Sequence, residues 1–247
     1  MEAYTGFAEV YDRYMDNVPY DIWTANIKTL FEKYHMPMEI VCDLGCGTGQ
    51  MTRRLASLGY DMIGIDMSYD MLMEARTAED SEGILYLCQD MRSFELYGTV
   101  GAVVSLCDSI NYLRSSEELL QVCRLVNNYL DPGGLFIFDI KTEHYYKKLG
   151  NSVIAENREE GSFIWENDYD EINRDNNYYL TIYEENDDGT FDRFEEEHVQ
   201  HAFSQKEIVG AIKNSGLDFL EVLDVDTMSE PSKDSDRLYF IAREVSK

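Results

Sequence analysis

From residue 39 onward the chain alternates short apolar runs with amphipathic stretches. "EIVCDLG" (39–45), "DMIGIDM" (61–67), "ILYLCQDM" (84–91), "GAVVSLCDS" (101–109) and "GLFIFDI" (134–140) each read as strands. Such continuous apolar runs suit strands buried on both faces. Between them, helical patterns cover residues 49–58, Ser68 to Ala78, and "SSEELLQVCRLVNNYL", which starts at Ser115 or Ser116 and is ended by "DPGG". Serine at these starts is a good N-cap, because its hydroxyl accepts from an otherwise unpaired backbone N–H. Residues 4 to 34 read as two helices interrupted near Pro19. The first carries an aromatic face of Tyr4, Phe7, Tyr11 and Tyr14, and the second an apolar face of Ile22, Ile27, Leu30, Phe31 and Tyr34. Near residue 150 the period drops to two. "SFIWENDYDEI", "NYYLTIYEE" and "FDRFEEEHVQHAF", with turn signals "NRDNN" and "NDDGT", predict an antiparallel meander. A helix from Ser204 to Ser215 and two strands, "LDFLEVLDV" and "RLYFIAREV", then complete the alternation.

This order predicts an α/β fold: a doubly wound, Rossmann-like, seven-stranded, mostly parallel sheet with N-terminal helices and an inserted antiparallel β lid. The expected division is a helical cap over 1–38, a core made of 39–148 and 202–247, and an insertion over 149–201. The 247 residues, 44% of them hydrophobic, suffice for one large domain with a modest insertion.

Charge and cysteine usage narrow the chemistry. The net charge is −27, and residues 151–200 hold 16 acidic and 3 basic side chains, a net of −13 and nearly half the total. With no basic cluster longer than "KK" at 147–148, nucleic acid and anionic membranes are poor partners. A cationic or zwitterionic small molecule, or a basic protein, is easier to accommodate. No run of eighteen apolar residues suggests a membrane span. The acidic, aromatic start "MEAYTGFAEVYDRY" is unlike a signal or transit peptide, so a soluble cytoplasmic protein is expected. Cys42, Cys46, Cys88, Cys107 and Cys123 form no disulfide-like pattern, and most sit in apolar runs. They read as small buried hydrophobes, and no second Cys or His pair stands at metal-ligand spacing.

The glycine loop in "VCDLGCGTGQ" (41–50) is the first chemical signal. Gly49 is followed by Gln50 and Met51, which rules out the Gly-Lys-Ser/Thr of a phosphate loop. A dinucleotide fingerprint needs a glycine at position 50, which is Gln. Asp66, twenty-one residues after Gly45, suits ribose hydroxyls of any adenosine cofactor. Asp43 discriminates: at the strand tip it would repel a pyrophosphate but attract an ammonium and a sulfonium. S-adenosylmethionine offers adenosine and both cations, and no phosphate.

"VCDLGCGTGQ", "IGIDMS", "LCQDM" and "LCDSINYL", in this order and spacing across most of residues 39 to 140, resemble class I S-adenosylmethionine-dependent methyltransferases. The aromatic N-terminal helices and the acidic β-insertion resemble small bacterial members of the methyltransferase-25 or methyltransferase-11 type. The resemblance implies a site. Gly45, Cys46 and Gly47 pass under the methionine and ribose parts, and Asp43 stands near the amino group. It is an aspartate where the family often has glutamate. Asp66 holds the ribose hydroxyls with Met67 against the adenine. Asp90 binds the adenine amine beside Met91. Leu106 and Cys107 line the cofactor near the methyl, and Tyr11 closes over it. Asn111 and Tyr112 are expected in the acceptor pocket, with the insertion as its lid.

Plain packing competes with these readings for Met67, Met91 and the aromatic face, and a solvated strand end competes for Asp66 and Asp90. His198 and His201 are three apart on a strand, so at most one faces inward. Asp108, Tyr11 and His198 are the candidates if a general base is needed. "LCDS" lacks the Pro-Cys pair of pyrimidine methylation, and "CDSINYL" lacks the Asn/Asp-Pro-Pro-Tyr run of enzymes that methylate nucleic-acid amines. The expected activity is therefore direct, in-line methyl transfer from S-adenosylmethionine to a small molecule. The alternatives are a non-catalytic cofactor-binding or partner-regulating module and, less well matched, an NAD-dependent oxidoreductase. The acceptor and the oligomeric state are not legible.

Overall fold

A computed structural model describes residues 8–14, 18–37, 39–159, 161–186, 188–245 and 247. Tyr4 and Phe7 lie outside the described residues, as does the side chain of Tyr11.

The five apolar runs form β1 (Ile40–Leu44), β2 (Asp61–Asp66), β3 (Leu85–Cys88), β4 (Val100–Ser105) and β5 (Leu130–Lys141). Two strands near the chain's end, β10 (Leu217–Asp224) and β11 (Arg237–Glu244), complete a seven-stranded sheet in the order β10-β11-β5-β4-β1-β2-β3. Pairs β1–β2, β1–β4, β2–β3 and β4–β5 are parallel, whereas β11 runs antiparallel to both its neighbours.

Successive side chains of a strand point to opposite faces, and both faces of this sheet are covered. Cys42, Leu44, Val103, Phe136, Phe138 and Phe240 pack on one side with α5 (Ser116–Tyr129) and α7 (Gln205–Asn214). Val41, Met62, Ala102, Val104, Ile137 and Ile241 pack on the other with α2 (Tyr20–Lys33) and α3 (Gln50–Ser57). Two-sided burial is why these strands read as continuous apolar runs.

Serine hydroxyls cap α4 (Tyr69–Thr77), α5 and α7, from Ser68, Ser115 and Ser204; Ser204 and Glu207 form a reciprocal capping box. Each cap contributes about 1 kcal/mol. α1 (Ala8–Tyr14) stands ahead of α2.

The insertion is a separate four-stranded antiparallel meander: β6 (Val153–Arg158), β7 (Gly161–Asp170), β8 (Asp175–Glu185) and β9 (Phe191–His201). "NRDNN" and "NDDGT" fall at its two later turns. Three details differ from the sequence pattern. β6 was not anticipated, because five of its six residues are exposed and only backbone pairing with β7 defines it. The short helix α6 (Glu143–Leu149) buries Tyr146 alone, too little for an amphipathic signal. "DPGG" lies within β5, where the register against β4 shifts, rather than in a free turn.

Candidate active site

Strand order reverses between β1 and β4, and in open α/β sheets the crevice beyond the carboxyl ends of such strands takes ligands. Here that crevice is a cavity of about 550 Å³. Its floor is the loop after β1 and the loop after β4; its roof is the inner face of the meander.

At the first end, Gly45 and Cys46 donate their backbone N–H groups to the Ile65 carbonyl, which pins the loop to β2. Gly45 has φ +82°, and a Cβ there would meet the Ser109 Cβ and Oγ at 2.7 Å, so no side chain fits. Gly47, also left-handed, has nothing within 4 Å of where a Cβ would be: the loop leaves open space above its backbone. Asp66 holds the loop from the neighbouring strand. Its Oδ2 accepts from Gly47 N at 2.8 Å and its Oδ1 from Ser68 N at 2.9 Å. Burial pushes its pKa up, against these bonds.

Asp43 is buried, accepts from Thr52 Oγ1 at 2.6 Å, and is pushed up to about 7, chiefly by burial with Asp66 adding. Asp90 takes Arg92 bidentately, which holds its pKa below the ordinary value. Met67, Met91, Leu106 and Cys107 also line this end, and Cys46 packs behind the loop against Leu72, Ala75 and Tyr86. Above the loop, the α1 residue Asp12 accepts from Thr48 Oγ1 at 2.7 Å and Gln50 Nε2 at 2.6 Å.

After β4 the backbone turns sharply: Cys107 and Asp108 are both left-handed, at φ 60° and 56°. Two such non-glycine residues cost roughly 1–2 kcal/mol each. Two cations hold Asp108 in this turn. Its Oδ1 accepts from Arg237 Nη2 at 2.7 Å, and its Oδ2 from Gln200 Nε2 at 2.6 Å, with Lys141 Nζ at 3.2 Å. Burial opposes ionisation, yet the Lys141 and Arg237 charges keep the Asp108 pKa below the ordinary carboxylate value. Arg237 also binds Asp139 and lies over the Trp23 ring at 4.8 Å.

The second end is aromatic. Tyr112, Tyr145, Trp165, Tyr178 and His198 line it. Tyr112 Oη lies 2.6 Å from Tyr178 Oη and 3.1 Å from His198 Nδ1, and the imidazole stacks on Tyr178 at 4.6 Å. Burial lowers the His198 pKa to about 4, with Asp108 opposing, so the ring is neutral near pH 7. His201 leaves the cavity and pairs with Asp175 at 2.7 Å.

The structure thus brings Asp43, Gly45, Cys46, Gly47, Asp66, Met67, Asp90, Met91, Leu106, Cys107, Asp108, Tyr112 and His198 to one cavity. It does not bring Asn111 there. That side chain is fully buried, donates to the Lys141 and His201 carbonyls, and accepts from Lys141 N. Asn111 therefore ties the end of β5 to the end of β9. Tyr11 rides on α1 with its side chain outside the description. Sequence reasoning missed Lys141, Asp139, Arg237 and Trp165. Asp139 interrupting the apolar run "GLFIFDI" was the available signal; Arg237 and Trp165 offered none.

The donor set fits S-adenosylmethionine: carboxylates at three strand ends, open space over Gly47, and an Arg53 that is engaged by the Thr48 carbonyl and Asp80 rather than open to a phosphate.

Comparison with known proteins agrees. The family model described as "Methyltransferase domain" matches residues 41–134. "Putative methyltransferase YqeM" of Bacillus subtilis is 36% identical over 97% of this chain and 96% of its own. A crystal structure of an S-adenosylmethionine-dependent methyltransferase from Clostridium acetobutylicum superposes with a TM-score of 0.88 at 26% identity, covering 98% of this chain and 99% of that one. A Streptomyces venezuelae dTDP-3-amino-3,4,6-trideoxy-alpha-D-glucopyranose N,N-dimethyltransferase is 29% identical over 53% of this chain and 56% of its own. Among the described residues, no helix is long and apolar enough to cross a membrane, and no group of His, Cys, Asp or Glu could hold a metal. This chain belongs to the class I S-adenosylmethionine-dependent methyltransferases.

Proposed function

We propose that the protein methylates a small molecule. One observation carries this reading: the cavity is continuous from the glycine loop to the aromatic end and is roofed by the meander. A volume of about 550 Å³ suits a cofactor and a modest acceptor side by side. The partial relative whose name specifies an amino-sugar nucleotide points to the same class of acceptor.

When bound, the cofactor supplies a sulfonium methyl already activated for displacement. The protein's own task is then alignment and exclusion of water, which together account for roughly 7–11 kcal/mol in well-oriented systems. Asp66 and the Gly45–Gly47 backbone would seat the ribose and methionine parts, Asp43 would hold the amino group, and Asp90 with Met67 and Met91 would bind the adenine. Leu106 and Cys107 would line the cofactor on its methyl side. Tyr112, Tyr178 and His198 form the wall against which the acceptor lies.

His198 is the base candidate best placed for an acceptor proton, since Asp108 is engaged by Arg237, Lys141 and Gln200. A neutral imidazole accepts a hydrogen bond and orients a nucleophile, but with a pKa of about 4 it is a weak base. Acceptors that arrive deprotonated are favoured.

Incubation with methyl-labelled S-adenosylmethionine and a deproteinated metabolite pool tests the reading. Label in a small molecule is expected. Label only in RNA or protein overturns it, and cofactor binding without turnover favours a regulatory module.

A further inference from the structure

Four cations line the cavity: Arg92, Lys141, Arg158 and Arg237. Three have carboxylates of their own. Arg92 holds Asp90 and Glu118, Arg158 holds Glu156 at 2.8 Å, and Arg237 holds both Asp108 and Asp139. Lys141 differs. Its one carboxylate partner among the described residues is Asp108, at 3.2 Å, and Arg237 and Gln200 already engage that carboxylate. An ammonium has three N–H donors, so two remain for something else.

The surroundings of Lys141 hold it in place. Its Nζ lies 5.2 Å from the Tyr145 ring centroid and 5.9 Å from that of Trp165, and its side chain is only 13% exposed. The Trp165 indole N–H is itself buried with no acceptor among the described residues. An unmet buried donor costs about 1–3 kcal/mol, so this one calls for a ligand atom or an ordered water. The wall of the acceptor end therefore carries a half-used ammonium beside an indole ring whose N–H has no acceptor among the described residues.

Charge bookkeeping agrees. Asp108 and Asp139 cancel Arg237 and Lys141, so the cluster is neutral before a ligand enters. One added negative charge would offset one sulfonium. A dianionic phosphate would leave an excess negative charge in a buried site, and Arg237, the bidentate fork suited to it, is fully engaged.

We propose that the acceptor carries a carboxylate, held by Lys141 Nζ and the Trp165 indole N–H against the aromatic wall. The net charge of −27 favours cationic or zwitterionic ligands at long range, but these local donors decide which group the site reads. A zwitterion satisfies both. This inference rests on the acceptor end being a small-molecule site.

Both tryptophans of the chain, Trp23 and Trp165, line the cavity, so intrinsic fluorescence reports its occupancy. Benzoate, benzamide and phenyl phosphate are titrated into the protein with S-adenosylhomocysteine present. Benzoate is expected to bind at least about fivefold tighter than either analogue. Lys141→Met removes that preference, Lys141→Arg retains part of it, and Trp165→Phe weakens benzoate about two- to fivefold. Lys141→Met leaves Asp108 on Arg237 and Gln200, so it keeps its fold, checked by circular dichroism, and its affinity for S-adenosylhomocysteine. Equal binding of benzamide, tighter binding of phenyl phosphate, no saturable response to benzoate, or an undiminished benzoate preference in Lys141→Met overturns the inference. The labelled-transfer assay reads the methyltransferase proposal separately. Transfer to acceptors without a carboxylate would overturn this inference alone.

Discussion

The two ends of the cavity are built on different principles. The cofactor end joins backbone to short-range side chains: the glycines after β1 and the strand-tip carboxylates of β1, β2 and the residues after β3, all within residues 43–91. Its geometry follows from the sheet, because the loop is bonded to Ile65 and Asp66 of the next strand. The acceptor end is mostly side chains, drawn from α2, the loop after β4, β5, the meander and the start of β11. A site built on the sheet's own strand ends is fixed by the fold, while a site built from distant side chains can change its ligand by a few substitutions. The cofactor is correspondingly readable from family membership, and the acceptor is not.

Substitutions at each end test this contrast. The largest effect is expected at the acceptor end. Arg237→Met leaves Asp139 as a buried carboxylate without its cation and Asp108 with Lys141 and Gln200 only, and should cost about 3–5 kcal/mol in urea unfolding. A loss under about 1 kcal/mol would mean that the cluster does not organise this end. At the cofactor end, Asp66→Asn removes the ionised acceptor for Gly47 N. Cofactor affinity should fall roughly 10–100-fold by calorimetry, corresponding to about 1.5–3 kcal/mol for bonds to a charged group, with smaller loss of stability.

Two pH effects share one cause, burial, which moves the two groups in opposite directions. Burial pushes the Asp43 pKa up to about 7, and its carboxylate is the form that would attract the cofactor's amino group. Affinity should therefore rise about tenfold from pH 6 to pH 8, a rise absent from Asp43→Asn. A flat wild-type profile would remove Asp43 from cofactor binding. His198 has a pKa depressed from 6.5 to about 4, so the native state binds fewer protons than the unfolded chain in between. Its contribution to stability is complete above pH 6.5 and is lost as pH falls toward 4, by roughly 3 kcal/mol at most. His198→Gln should show a shallower decline over that window in thermal unfolding; an identical decline would place the titration elsewhere.

Much of this architecture was legible because its signals are local. Two-sided burial makes β1, β2, β4 and β5 continuous apolar runs, and Ser68, Ser115 and Ser204 announce their helices by capping chemistry. Asp43, Gly45 and Gly47 lie within five residues, and Asp66 stands one strand later, so their spacing carries the cofactor reading. β6 and α6 escaped because neither has a buried periodic face.

What the sequence by itself determined is therefore the doubly wound core, the meander and the seat for an adenosine sulfonium. Each rests on residues close in the chain. Only the tertiary structure decided the acceptor end. Asn111 reads as a pocket residue until the fold seats it between the Lys141 and His201 carbonyls. Asp108 reads as a base until Arg237, 129 positions away, and Gln200, 92 away, close on its carboxylate. Lys141 and Trp165 carry no motif at all, and become neighbours because the meander folds back over the end of β5. A side chain's chemistry is set by what desolvates it and what charge faces it, and for these residues both come from distant parts of the chain.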